Sequence, residues 1–126
     1  MILDSCFLID LMAGDEGAIA KLDELTENAS PMALSAITVT EVGIGLGGDA
    51  EREAFDRLVD RMTVVPFDHR TGRRAARIQR ELYRDGRPIG ALDLLIAATA
   101  VERGEPVVTR NVTEFTRVPD CSVSPY

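Results

Sequence analysis

The sequence predicts an α/β fold of three layers, α/β/α, built on a mostly parallel central sheet of four to five strands. Three observations predict it. Short apolar runs alternate with amphipathic helical stretches along the whole chain. The loops between them are short, as in parallel strand–helix units. One helical stretch, Leu92 to Arg103, is nearly all apolar, which suits a helix buried against a sheet. The 126 residues suffice for one compact domain and are too few for two ordinary ones, so residues 1–126 are expected to form a single domain.

Met1-Ile2-Leu3-Asp4 reads as a buried strand ending in an acid. Ser5 stands where a cap is needed for the next helix, in which Phe7, Leu8, Leu11 and Met12 recur at helical spacing and Gly14 is the stop. Asp15 to Asn28 is a second amphipathic helix with Ala18, Ile19, Leu22 and Leu25 inward, broken by Pro31. Met32 to Ile37 is the second strand. Thr38 then caps a helix that carries Glu41 and is weakened and ended by Gly43, Gly45, Gly47 and Gly48. Glu51 to Met62 is helical, with Ala54, Phe55, Leu58 and Val59 inward, and Thr63 to Pro66 is the third strand. Asp68 to Arg84 is a long helix ended by Asp85-Gly86. After the apolar helix, stopped by Gly104, Pro106 to Thr109 is the fourth strand. Asn111 to Phe115 is a helical turn, and Ser122-Val123 an edge strand.

Composition narrows the function. Net charge is −7, which argues against a protein that grips nucleic acid with its whole surface and fits one that gathers carboxylates around a metal. Lys21 is the only lysine, so the basic residues are almost all arginine. His69 is the only histidine and reads as a surface or capping residue, which disfavours a histidine triad or a zinc site. Cys6 and Cys121 form no CxxC, excluding a zinc ribbon or disulfide scaffold. No apolar run approaches the ~20 residues of a membrane span. The start of the chain does not read as a signal peptide, so a cytoplasmic location is expected. At 5% aromatic content a base-stacking platform is disfavoured. The glycines of Gly43–Gly48 lack the Gly-Lys-Ser/Thr of a P-loop.

Open parallel sheets place their sites beyond the C-terminal ends of the strands. Asp4 and the Thr109–Asn111 segment stand at such ends, and Glu41 and Asp93 sit early in the helices that follow their loops. Asp93 is the most informative, because it interrupts Ile89-Gly90-Ala91-Leu92-Asp93-Leu94-Leu95-Ile96-Ala97-Ala98. A carboxylate in such surroundings loses hydration and must be paired, protonated or metal-bound. The bland alternative is an acid that complements the helix dipole. Asp4 or Glu41 alone says little; the inference rests on convergence of the three.

Four segments carry a resemblance to a known family. They are Met1–Asp10 (MILDSCFLID), Ala36–Leu46 (AITVTEVGIGL), Ile89–Ala100 (IGALDLLIAATA) and Val107–Phe115 (VVTRNVTEF). Together, in this order and across nearly the whole chain, they resemble the motif blocks of PIN-domain nucleases, closest to the VapC toxins of toxin–antitoxin pairs. The resemblance implies a PIN-like fold and a Mg²⁺- or Mn²⁺-dependent endoribonuclease that cleaves RNA. It also implies inhibition by a VapB-type antitoxin, and a homodimer. Asp4, Glu41 and Asp93 match the family's first three acids. Asn111 stands where many members have an aspartate, so it offers a neutral oxygen instead, and Glu114 could restore the charge through water. Ser5 and Thr109 match the family's small hydroxyl positions, as aligners of Asp4 or water or as local caps. In this reading Asp4 and Asp93 are inner metal ligands, and Glu41 orients or deprotonates the attacking water. An oxygen-rich set of three carboxylates and an amide suits Mg²⁺.

Arg70, Arg73, Arg77, Arg80, Arg84 and Arg87 follow a 3-4-3-4-3 spacing. The first five fall within an arc of about 80°, opposite Ile78 and Leu82. Three readings stay open: a track guiding RNA backbone, with Arg73 and Arg77 as contacts; a solvated face paired with Glu81 and Asp85; or docking of an acidic antitoxin or second protomer. Arg110, beside the expected site, is a single candidate for phosphate contact. The competing functions are a phosphatase or receiver domain, and a PIN fold that only binds RNA or protein. The phosphatase wants a second aspartate where Cys6 stands, the receiver a late lysine that is absent. Asn111 is the one residue favouring the binding module.

Overall fold

The computed structural model describes residues 1–126 throughout. Five short strands form one sheet in the order β3-β2-β1-β4-β5, and every pairing in it is parallel. The strands are β1 (Ile2–Leu3), β2 (Ala33–Ser35), β3 (Thr63–Val65), β4 (Val107–Val108) and β5 (Val123–Ser124). The expected mostly parallel sheet is thus wholly parallel. The chain steps outward from β1 to β3 and then returns to the other side of β1. The reversal lies between β1 and β4, where an open parallel sheet leaves a crevice at its C-terminal rim.

Alternation along each strand divides the core into two faces. Ile2, Ala33 and Val107 face one layer, where they meet Ala75, Ile78 and Leu82 of α5 (His69–Arg84), Ile96, Ala97 and Ala100 of α6 (Ala91–Arg103), and Phe115 of α7 (Val112–Thr116). Leu3, Leu34 and Val108 face the other, with Phe7 and Leu8 of α1 (Ser5–Ala13), Ala18 and Leu25 of α2 (Glu16–Glu27), Val42 of α3 (Ala36–Ile44) and Phe55 of α4 (Asp49–Val59). This is the three-layer α/β/α architecture that the alternating pattern predicts. Each fully buried aliphatic contributes about 1.5–3 kcal/mol. Truncating Ile96, which has no exposure, is expected to cost about 2–5 kcal/mol.

Several local expectations are corrected. Ser5 does not cap α1. Asp4 is the N-cap, its carboxylate accepting from the Ser5 amide at 2.7 Å, because an acid at a strand end reaches the first amide directly. Thr38 does not cap α3. The second strand stops at Ser35, whose hydroxyl accepts from the Ile37 amide, and Thr38 lies fully buried within the first turn of the helix. Ile19 is exposed rather than inward; α2 seats only Ala18 and Leu25 deeply. The stops at Gly14 and Gly104 hold: both adopt the left-handed conformation that closes a helix.

Helices α5 and α6 follow one another without an intervening strand and pack antiparallel. At one end Arg74 Nε donates to Glu102 at 2.6 Å. At the other, the Gln79 amide donates to the Ile89 carbonyl at 2.8 Å. The N-terminus of α6, which carries Asp93, therefore lies beside the C-terminal half of α5.

Candidate active site

The site is assembled from four separate segments at the β1/β4 rim. Asp4, at the end of β1, is buried and saturated with donors. Its Oδ1 accepts from the Ser5 amide at 2.7 Å. Its Oδ2 accepts from the Thr109 hydroxyl at 2.7 Å and from the Cys6 thiol at 3.1 Å. Thr109 ends β4, so this contact ties the two strands at the switch of the sheet. Its hydroxyl also accepts from the Asn111 amide at 2.9 Å, which shapes the turn into α7. Glu41 comes from α3 and is held by the Ser5 hydroxyl, which donates to its Oε2 at 2.5 Å. Ser5 is therefore an aligner of Glu41 rather than a cap.

Asp93 sits in the first turn of α6. Its Oδ2 accepts from the Asn111 side-chain amide at 3.0 Å. Burial pushes the carboxyl up to about 6, and the negative charges of Asp4, Glu41 and Glu114 push in the same direction, against the Asn111 hydrogen bond. Asp4, Glu41 and Glu114 thus all act on Asp93, although long stretches of chain separate them. Glu114 is also ion-paired with Arg117 at 3.5 Å. No three His, Cys, Asp or Glu side chains lie together closely enough, as they stand, to hold a metal ion. Hydrogen bonds from Ser5, Cys6, Thr109 and Asn111 hold the acids individually. The donor set is nonetheless all oxygen, repels itself and faces no arginine partner at Asp93. That chemistry fits a hard divalent cation that keeps several waters.

Next to this cluster lies a second polar group. Asp10, in α1, is buried and accepts from Arg110 Nη1 through both oxygens, at 2.9 and 2.8 Å. The Tyr126 hydroxyl donates to Asp10 Oδ2 at 2.7 Å and also lies 3.5 Å from Cys6 Sγ. Its ring meets Phe7 edge-on, with centroids 4.9 Å apart. Burial and the Asp4 charge raise the Cys6 thiol. Burial, with the Cys6 and Asp10 contacts, raises the Tyr126 phenol. Arg110, expected to be free for phosphate, is therefore anchored by one nitrogen, while its side chain stays 59% exposed.

Sequence reasoning had not singled out Cys6, Asp10 or Tyr126. Asp10 carried a usable signal, since it interrupts an apolar helix as Asp93 does. Arg73 and Arg77 are exposed on α5. Arg73 lies in the N-terminal half of that helix and Arg77 at its middle, and both line a groove with Glu102 at the far end of α6 from Asp93.

The sequence profile of the PIN domain matches residues 1–120. The chain belongs to the PIN-domain family, in its VapC branch. It is 32% identical over 103 residues to the tRNA(fMet)-specific endonuclease VapC of Salmonella typhimurium, covering 79% of this chain and 78% of the relative. It is likewise 32% identical over 121 residues to ribonuclease VapC19 of Mycobacterium tuberculosis, covering 94% of each. Among solved structures, the DNA-bound VapBC of Salmonella typhimurium superposes with a TM-score of 0.89 at 29% identity, over 98% of this chain and 96% of that one. FitAB bound to an IR36 DNA fragment gives 0.84 at 28% identity, over 98% and 93%. The wholly parallel sheet is thus that of a PIN domain. The phosphatase and receiver alternatives fall with that assignment. No helix of this PIN domain is long and apolar enough to cross a membrane.

Proposed function

We propose that residues 1–126, as a single PIN domain, form an endoribonuclease that hydrolyses RNA phosphodiester bonds with a divalent cation. In this reading the chain is the toxin of a pair with a VapB-type antitoxin. The observation that carries the proposal is the Asp93 carboxyl, raised to about 6 by burial and by three neighbouring acids. A site that concentrates uncompensated negative charge is poised to take up a cation. The names of the relatives, endonuclease and ribonuclease, support the substrate class.

Asp4, Asp93 and Glu41 would hold the cation, with Asn111 as a neutral oxygen donor and Glu114 as outer support. Mg²⁺ suits this oxygen set, and Mn²⁺ is the second choice. When bound, such a cation acidifies a water and withdraws charge from the phosphate. The chain's own residues do the rest. Asp4, fixed by Thr109, Cys6 and the Ser5 amide, sets the floor of the site. Glu41, steered by Ser5, accepts the proton of the attacking water. Thr109 aligns Asp4, and the unpaired N–H groups of Arg110 meet the phosphate.

The antitoxin reading is supported by an apolar groove beside Glu41, lined by Ile9, Met12, Ala13, Val42 and Leu46, which suits an amphipathic helix. A homodimer is part of the same proposal, as is the cytoplasm, where an RNA-cleaving toxin meets its substrate. A second reading, a PIN fold that binds RNA or protein without cleaving, is favoured by one contact. The Asn111 amide occupies an Asp93 oxygen that a cation would need.

The test is cleavage of total RNA by the purified chain with Mg²⁺, with Mn²⁺ and with EDTA, alongside Asp93→Asn. Cleavage confined to metal-containing reactions and absent from the variant supports the nuclease. RNA binding without cleavage under all conditions overturns it in favour of the binding module.

A further inference from the structure

We propose that α5 carries an exosite for RNA backbone, in which Arg73, Arg77, Arg80 and Arg84 form a cationic track running toward the acidic rim. The proposal rests on the ribonuclease reading above and adds a binding surface outside the cleavage centre.

Charge distribution is the first argument. Helix α5 holds six arginines and one acid within 16 residues, in a chain whose net charge is −7. Pairing is the second. Arg70 and Arg74 converge on Glu102, at 2.7 and 2.6 Å. Arg73, Arg77, Arg80 and Arg84 are exposed and form no ion pair, although Glu81 and Asp85 lie close by in sequence. The solvated-face reading, with those acids as partners, is therefore not realised. Four like charges on one arc of a helix repel each other modestly, and no ion pair offsets that repulsion. The buried face, Thr71, Ala75, Ile78 and Leu82, already seats the helix without them.

Direction is the third argument. From Arg73 to Arg84 the helix rises about 16 Å. Because α5 and α6 are antiparallel, the Arg84 end adjoins the loop leading to Asp93. That loop is tied to the site, since Arg117 Nη1 donates to the Pro88 carbonyl at 3.3 Å and also pairs with Glu114. At the other end, His69, Arg70, Arg73, Arg74 and Arg77 line a groove with Glu102 and no apolar residue. A partner helix would need apolar seats there, whereas a polyanion needs guanidinium groups, which take phosphate oxygens two at a time. The track thus fits a phosphodiester chain better than a protein.

The experiment compares RNA affinity of Asp93→Asn, as a non-cleaving background, with the same protein carrying Arg73→Gln, Arg77→Gln, Arg80→Gln and Arg84→Gln. Two RNAs sharing one cleavage site are used, one of about 30 nucleotides and one of about 6, across a salt series. For the long RNA, affinity at low salt is expected to fall at least tenfold. The slope of log affinity against log salt should shrink by about 2–3, at ~0.7 per lost phosphate contact on a single strand. The short RNA should bind equally to both proteins, and Arg→Lys at the four positions should restore the slope. Unchanged affinity and slope for the long RNA overturn the exosite. So does an equal loss for the short RNA, or a loss confined to binding of an acidic peptide. Cleavage by the wild-type chain, run in parallel, reports on the ribonuclease reading separately.

Discussion

Asp10 and Asp93 pose the same problem to the fold and receive opposite answers. Each is an acid interrupting an otherwise apolar helix. Asp10 is met by the Arg110 guanidinium and the Tyr126 hydroxyl, so its charge is compensated within the protein. Asp93 is met by one neutral amide, and its other electrostatic neighbours are acids that raise its carboxyl to about 6. A buried carboxylate with a cation beside it belongs to the scaffold. One surrounded by its own kind must take a proton or a cation, and the proposed function rests on the cation. The difference lies in the neighbours, not in the residue type or its local sequence.

Breaking the uncompensated side is expected to give the largest effects. Asp93→Asn should abolish RNA cleavage, read as product on a gel. In EDTA it should also raise Tm, because a repelled charge is removed. With screening at a partly exposed site the gain is on the order of 1–2 kcal/mol. The pH dependence follows in sign. The folded carboxyl binds its proton more tightly than the unfolded one, so this group's contribution to stability falls as pH rises from about 4 to about 6. Thermal melts of the metal-free protein across that window should show this decline, and Asp93→Asn should flatten it.

Sharpening the contrast is the purpose of Asn111→Asp. It replaces the one neutral donor at Asp93 with a further charge. Metal-free Tm should drop, by about 1–2 kcal/mol equivalent, while the rise on adding Mg²⁺ or Mn²⁺ grows. Differential scanning fluorimetry with and without metal reads both.

On the compensated side the effects are smaller and concern stability first. Asp10→Asn removes the charge facing Arg110, whose exposure limits the loss to about 1–2 kcal/mol in denaturant melts. Its Tm should respond little to metal-free versus metal-containing buffer beyond what the wild type shows. Tyr126→Phe keeps the Phe7 contact and removes a single hydrogen bond, so about 1 kcal/mol is expected.

The rim residues were legible in part from local signatures, whereas Glu41 and Glu114 carry none and were legible only through convergence and the motif blocks. Asp4 closes an apolar strand, Asp93 breaks an apolar helix, and Thr109 and Asn111 follow an apolar pair. Asp10 bears the same signature as Asp93, but its partners stand 100 and 116 residues away, so its structural role could not be read locally. The caps went astray for a related reason. Asp4-Ser5 offers two adjacent side chains able to cap a helix, and only geometry decides that Asp4 accepts from the Ser5 amide while Ser5 turns to Glu41. The arginine face of α5 was legible from spacing alone. Its direction relative to the acids was not, because the antiparallel return of α6 is set by tertiary contacts such as Gln79 to Ile89.

Titrating the metal-free chain with Mg²⁺ and Mn²⁺ while following Tm tests the cation-seeking centre most directly. A rise in Tm that saturates with metal, and that is lost in Asp93→Asn but retained in Asp10→Asn, is the predicted result. A Tm indifferent to both metals, or a rise that survives Asp93→Asn unchanged, would contradict it.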